Sequence, residues 1–231
     1  MSNLVPLPIE AIGSDAQTGE SFVDNPFATC YIRPRSIEYR FRPGESIDLL
    51  IARLDHSGWR GQIIGPHGSG KSTLVATLAG PALTRFERIE WWAIRSHSGV
   101  FRRVVWHREN DLRRDANADG HVEATRLGTL TVIEGWERLP WWSRLASCLA
   151  GRLGRRHVLL TGRRPMSCFA PVIYRATPDL ARFMELCHWL QRDVEHPLAD
   201  SDVSQAFHAH QGNAREALLA LFDLFQEQNR S

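Results

Sequence analysis

Cysteine is scarce and scattered in this chain of 231 residues: four residues, Cys30, Cys148, Cys168 and Cys187, with no C-x-x-C pair among them. Such spacing suggests neither a disulfide framework nor a zinc site, and it fits a reducing compartment. The ten histidines include no H-E-x-x-H or comparable ligand spacing, so His208 and His210 read as surface residues. No apolar run approaches the roughly 20 residues that a membrane-spanning helix needs. The opening Met1-Ser2-Asn3-Leu4-Val5-Pro6 lacks both the basic start and the apolar stretch of a signal peptide. An excess of one charge is missing too. Against 28 Lys and Arg stand 26 Asp and Glu, a net charge of +2, so the molecule as a whole is not built to hold a polyanion. These absences point to a cytoplasmic protein with no membrane partner. Hydrophobic residues at 43% and charged residues at 23% are ordinary for a globular chain of this size, which is long enough for one good core and a small appended unit.

What the chain does carry is Gly65-Pro66-His67-Gly68-Ser69-Gly70-Lys71-Ser72, directly after the apolar Gln62-Ile63-Ile64. This is the G-x-x-x-x-G-K-[ST] phosphate-binding loop, or P-loop. Its glycines let the backbone fold tightly, so that successive N–H groups point at an anion. A helix beginning near Lys71 adds the positive end of its dipole. The Lys71 ammonium reaches the β- and γ-phosphates, the Ser72 hydroxyl can hold Mg²⁺, and Thr73 follows in the first helical turn.

The order of segments around the loop is that of an α/β protein. Residues 1–44 form an irregular arm: the first 26 are rich in Pro, Gly, Ser and acidic residues, and Tyr31 to Arg42 is extended and basic. Pro43-Gly44-Glu45-Ser46 opens a helix with Ile47, Leu50, Ile51 and Leu54 on one face. A strand over residues 61–64 leads into the loop and a helix from Lys71 to about Ala79. Two β-rich runs, Ile89 to Arg95 and Val100 to Trp106, flank Ser96-His97-Ser98-Gly99 as a hairpin. Residues 108–121 read as a charged loop or short helix. Thr129 to Glu134 and His157 to Gly162 are short apolar runs of the kind buried on both faces of a parallel sheet, with a helix from Trp141 to about Leu153 between them. The expectation is a three-layer sheet over residues 45–175. Residues 176–231 then form a helical lid. Its first helix starts at Thr177-Pro178-Asp179 with Thr177 as cap, a second covers 201–210, and Asn213 caps the third.

Around the phosphates, Glu134 ends its strand where a P-loop protein needs a second acid to hold Mg²⁺ through water. Thr161 ends the next strand, and Arg163 and Arg164 follow it. Near the end of the chain, Gly212-Asn213-Ala214-Arg215-Glu216-Ala217-Leu218 resembles the G-N-x-R-E-[AL]-L sequence that opens a lid helix in AAA+ and STAND-type ATPases. With the P-loop and Glu134, it makes the chain similar to the additional-strand division of P-loop NTPases over roughly residues 45–225. The resemblance implies ATP with Mg²⁺ as ligands, Thr161 as a γ-phosphate sensor and Arg215 as a second sensor on the lid. It also implies an adenine site near Ile32 or Phe41. Two departures stand out. The usual Asp is Glu134, one methylene longer, and the acid that normally follows it directly is Gly135; Glu137 is the nearest substitute for polarising water.

The function expected from these residues is a Mg²⁺-dependent ATPase or nucleotide-driven switch that acts on a protein partner or on itself as an oligomer. Nucleic acid is the less favoured partner, because acidic residues are interspersed among the arginine pairs and no aromatic–basic module is present. The alternatives are a regulatory module that binds nucleotide with little hydrolysis, to which Gly135 points, and a small-molecule kinase.

Overall fold

The computed structural model of the chain describes residues 25–29, 31–32, 36–94, 101–107, 127–138, 157–166 and 170–229. Six strands make one sheet: β1 (Arg60–Ile64), β2 (Phe86–Ile94), β3 (Phe101–His107), β4 (Leu127–Glu134), β5 (His157–Gly162) and β6 (Val172–Arg175), in the order β3-β2-β4-β5-β1-β6. All neighbours run parallel except β2 and β3, which pair antiparallel from Arg88↔His107 to Ile94↔Phe101. The two β-rich runs therefore pair as expected, while the turn between them lies outside the described residues. So do the charged stretch 108–121 and the helix expected from Trp141 to Leu153.

Burial explains the composition of the central strands. In β5 every residue after His157 is buried, so an unbroken apolar run suits it. Alternate residues serve opposite faces. Ile63, Leu130, Val132 and Leu159 pack beneath α1 (Ile47–His56) and α2 (Lys71–Ala82). Val158, Leu160 and Ile133 meet Trp136 and Met166 on the other face. Ser46 caps α1 by accepting from the Leu49 amide at 3.2 Å. Helix α2 runs past Ala79 and carries Pro81 in its last turn.

The strand β6 is not apparent from the sequence pattern. Four residues, Val172-Ile173-Tyr174-Arg175, follow two prolines and lie just before Thr177-Pro178. This run is too short to show a period. The register of β6 against β1 shifts between Gln62 and Ile63, and the Gln62 carboxamide fills the irregularity: its Nε2 donates to Met166 O at 2.9 Å and its Oε1 accepts from the Met166 amide at 2.7 Å.

Three helices follow: α3 (Leu180–Leu190), α4 (Asp200–Ala209) and α5 (Ala214–Gln228). They build a second apolar cluster from Phe183, Cys187, Val203, Phe207, Leu221 and Phe225, among others. Thr177 is not the cap of α3. The helix starts later, and Asp179 caps it by accepting from the Arg182 amide, because Pro178 lies outside the helix rather than at its first position. Burial pushes the Cys187 thiol up to about 12, so Cys187 is a neutral core residue. Within the N-terminal stretch, Tyr31 and Ile32 close a turn onto Ala28 O rather than running extended. Phe27 is fully buried in the helical cluster, edge-on to Phe225 at 6.3 Å, and Asn25 Nδ2 donates to Phe222 O at 2.9 Å.

Candidate functional site

Strands β1, β4 and β5 end together beside the loop that joins β1 to α2. In that order β5 stands between the loop-bearing strand and the strand of Glu134, and Thr161 pairs in register with both Ile63 and Glu134. Partners across a parallel ladder face the same way, so Glu134 and Thr161 both point to the α2 side. There Ser72 Oγ donates to Glu134 Oε1, joining two residues 62 apart in sequence. The other carboxylate oxygen, Oε2, accepts from the indole Nε1 of Trp91 at 3.0 Å. Trp91 was not among the residues that sequence reasoning singled out. A tryptophan two residues short of a strand position beside Glu134 carries no motif.

Lys71 Nζ donates to Gly65 O at 2.8 Å and to Pro66 O at 2.5 Å, folding the side chain back along the loop. Ser69 Oγ also donates to Pro66 O, at 3.0 Å. Burial lowers the Lys71 pKa; Glu137 and then Glu134 act against that, and Arg163 reinforces it. His67 is likewise lowered, first by lost hydration and then by the Arg163, Lys71 and Arg138 cations. Thr73 lies in the first turn of α2, and its carbonyl accepts from Thr77 Oγ1 at 3.0 Å. Gly70 precedes α2 in the N-cap position with no side-chain cap.

Gly135 has φ +73°. A side chain there would sit in the left-handed region, which L residues rarely occupy, so the position is poorly suited to the acid that usually follows Glu134. The short turn Trp136–Arg138 then carries Glu137 back over the end of β5. A Cβ placed on Gly162 would lie 2.8 Å from Glu137 Oε2 and 2.4 Å from Trp136 Nε1. The Glu137 charge bears on both Lys71 and His67. Arg163 and Arg164 are exposed at the rim.

The helical cluster reaches the loop directly. Gly68 has φ +69°, and a Cβ on it would stand 1.9 Å from Asn213 Oδ1 and 2.9 Å from the Ala214 amide. Asn213 caps α5 by accepting from the Glu216 amide at 3.4 Å. One residue therefore both starts the last helix and abuts the phosphate loop. Arg215 follows in the first turn of α5 and is exposed. The structure brings its helix to the loop without giving its guanidinium a contact there.

From the other side Tyr39 closes on the loop, its ring 3.0 Å from where a Gly70 Cβ would be and its amide donating to Thr77 Oγ1 at 2.9 Å. Phe41 and Tyr174 pack edge-on against Tyr39. Arg182 of α3 donates to Tyr39 Oη at 2.8 Å and lies over the same ring. Tyr174 Oη donates to Glu45 Oε2 at 2.6 Å; burial and this bond raise its pKa. Phe41 thus belongs to an aromatic group next to the loop, whereas Ile32 packs with the C-terminal helices.

The residues brought together suit a nucleotide and its metal. The loop has no room for a side chain at Gly65 or Gly68. A hydroxyl and a carboxylate meeting beside it are hard oxygen donors of the kind Mg²⁺ takes. Thr161 Oγ1 is buried without a hydrogen-bond partner among the described residues, and a buried hydroxyl in that state is costly unless a ligand or water completes it. Among the described residues, no cluster of three His, Cys, Asp or Glu side chains offers an alternative metal site, and no helix is long and apolar enough to cross a membrane.

No family profile matches the chain, and no curated protein matches it in sequence. In three dimensions it is similar to the crystal structure of Cdc6p from Pyrobaculum aerophilum, with a TM-score of 0.53 and 12% sequence identity, over 84% of this chain and 63% of the other. The chain thus spans under two thirds of that structure, and the likeness is one of fold. It agrees with the P-loop α/β architecture built up above from β1, the phosphate loop and the parallel order of the sheet.

Proposed function

We propose that the protein binds ATP with Mg²⁺ and hydrolyses it, using the nucleotide state to set the position of its C-terminal helices. The observation that carries this reading is the meeting of Ser72 and Glu134 beside a glycine loop whose lysine is partly buried. Loop amides and Lys71 would hold the phosphates; at present Lys71 is bonded to loop carbonyls, bonds it would exchange for phosphate oxygens. Ser72 and Glu134 would hold Mg²⁺, which supplies charge neutralisation at the phosphates. Thr161, with its hydroxyl unengaged, would orient the γ-phosphate or the attacking water. Glu137, turned back over β5, would draw a proton from that water as its oxygen attacks phosphorus and the bond to the leaving diphosphate breaks. Arg215 would read the γ-phosphate from the lid, residues 176–231, against a nucleotide core over residues 45–175. The readout would pass to a protein partner or to a second copy of the chain.

A second reading has its own observation. The left-handed Gly135 occupies the place of the usual acid, which favours a regulatory module that binds nucleotide and turns it over slowly. Phosphate release and binding of a fluorescent ATP analogue, in wild type and in Lys71→Ala, separate the possibilities. Lys71→Ala should weaken binding at least about a hundredfold, since it removes a charge-assisted contact and leaves phosphate charge uncompensated. Release that depends on Lys71 and falls in Glu137→Gln supports hydrolysis. Binding without release supports the regulatory module, and release only with an added acceptor points to a kinase. No binding of ATP or GTP at millimolar concentration would sink the nucleotide reading.

A further inference from the structure

We infer that Trp91 is a positioning residue for Glu134, and that its indole is what allows a glutamate to stand where relatives of this type usually carry aspartate. The inference rests on the nucleotide reading above and concerns how its metal acid is held. Glu134 ends β4, and its register partner on β2 is Ala93. Trp91, two residues earlier on β2, pairs with Val132 on the same face. From there the indole reaches about 6.6 Å along the strand and donates Nε1–H to Glu134 Oε2 at 3.0 Å. Oε1 is left to Ser72.

The extra methylene of glutamate sets the carboxylate about 1.5 Å farther from the backbone and adds a rotatable bond. Unanchored, such a group has several orientations, of which few meet Ser72. Tied at one oxygen, it has few left. The indole is suited to this because Trp is a donor only. It steadies the charged carboxylate without offering a lone pair that would compete for a cation. An aspartate at position 134, shorter by that methylene, would have to give up either Ser72 or the indole. Ala93, the register partner of Glu134, carries only a methyl group. Trp91 is itself 8% exposed and packs in the cluster beneath α2, so the anchor is set into the core rather than hung on a loop.

The test is binding of a fluorescent ATP analogue with MgCl₂ and with EDTA, in wild type, Trp91→Phe and Trp91→Phe/Glu134→Asp. Trp91→Phe should cut affinity with MgCl₂ about tenfold and leave affinity with EDTA unchanged. The double variant should recover most of the loss, because a shorter acid needs no anchor. Equal losses in MgCl₂ and EDTA, no loss in either, or no recovery in the double variant would each overturn the inference. Wild type failing to bind in both conditions would instead remove the nucleotide reading, and the role of Trp91 with it. Should Trp91→Phe not fold, Glu134→Gln reads the contact from the other end. Of the eight tryptophans, one indole N–H resonance should move when its acceptor loses charge, and the absence of any such shift would overturn the contact.

Discussion

The sheet and the C-terminal helices solve the same burial problem with different parts of the chain. The sheet buries consecutive residues along its central strands β1 and β5, such as Leu159 and Leu160, and their parallel neighbours complete the work. The helices α3 to α5 each bury one stripe, and their cluster is finished by Phe27, which comes from the far side of the sheet in sequence. The sheet therefore depends on strand order, while the helical cluster depends on one long-range clasp. The phosphate loop lies between them and is touched from both sides, by Tyr39 at Gly70 and by Asn213 at Gly68.

If the helical cluster is a unit separate from the sheet, weakening it should leave the sheet folded. Phe27→Ala removes a fully buried ring, a change that typically costs about 3–5 kcal/mol. Its effect should concentrate in α3 to α5, seen as faster amide exchange there with β1, β4 and β5 still protected. Leu159→Ala, costing about 2–5 kcal/mol, should expose both regions together. If Phe27→Ala speeds exchange in the strands equally, sheet and helices are one cooperative unit and the distinction fails.

A smaller effect would sharpen the contact at the loop. Asn213→Ala removes the cap of α5 and its approach to Gly68, for about 1 kcal/mol. Asn213→Ser keeps a capping oxygen and should recover most of the stability. Thermal melts of the two variants check this, and equal losses would mean that the cap contributes nothing.

The smallest effect belongs to the join between sheet and helices. Burial acts to raise the Asp179 pKa, but the Arg182 amide, the Arg42 guanidinium and the Arg182 charge together hold it below the usual carboxylate value. A carboxylate depressed in the folded state contributes stability that is fully present above its unfolded value, about 3.9. That stability is lost as the pH falls through the folded value. Because Asp179 and Arg42 are both partly exposed, the contribution should be under about 1 kcal/mol. The gap in melting temperature between wild type and Asp179→Asn should be constant near neutrality and close below about pH 4. A gap that persists unchanged in acid would show that the carboxylate charge is not what matters.

Much of the sheet was legible because its signals are local. The apolar run His157 to Gly162 has the same bounds in the structure, and the glycine pattern from 65 to 72 runs from the end of β1 into the first turn of α2 as expected. That Glu134 ends a strand of the sheet was expected from the order of the segments, and β4 ends there. What escaped was set by contacts between distant segments. Strand β6 is four residues long and is defined by its pairing with β1. Thr177 looked like a cap by its neighbours, yet the cap falls on Asp179, which is engaged by Arg42 and Arg182. Trp91 could not be chosen among eight tryptophans, since only the register of β2 against β4 sets it beside the acid. The turn that brings Glu137 back depends on the left-handed Gly135, and a single sequence does not reveal that conformation.

The clasp of Asn25 and Phe27 on α5 also has a consequence in time. Asn25 and its partner Phe222 are 197 residues apart, so on a chain made from the N-terminus Asn25 and Phe27 wait for all of those intervening residues before their site exists. Contacts of such separation form late and slowly. The sheet can close around its phosphate loop while α5 is still to be made, and the helical cluster that abuts Gly68 is completed last. During that interval Phe27 is an apolar side chain without its cover, which makes the newly made chain more exposed to misassociation than the finished one.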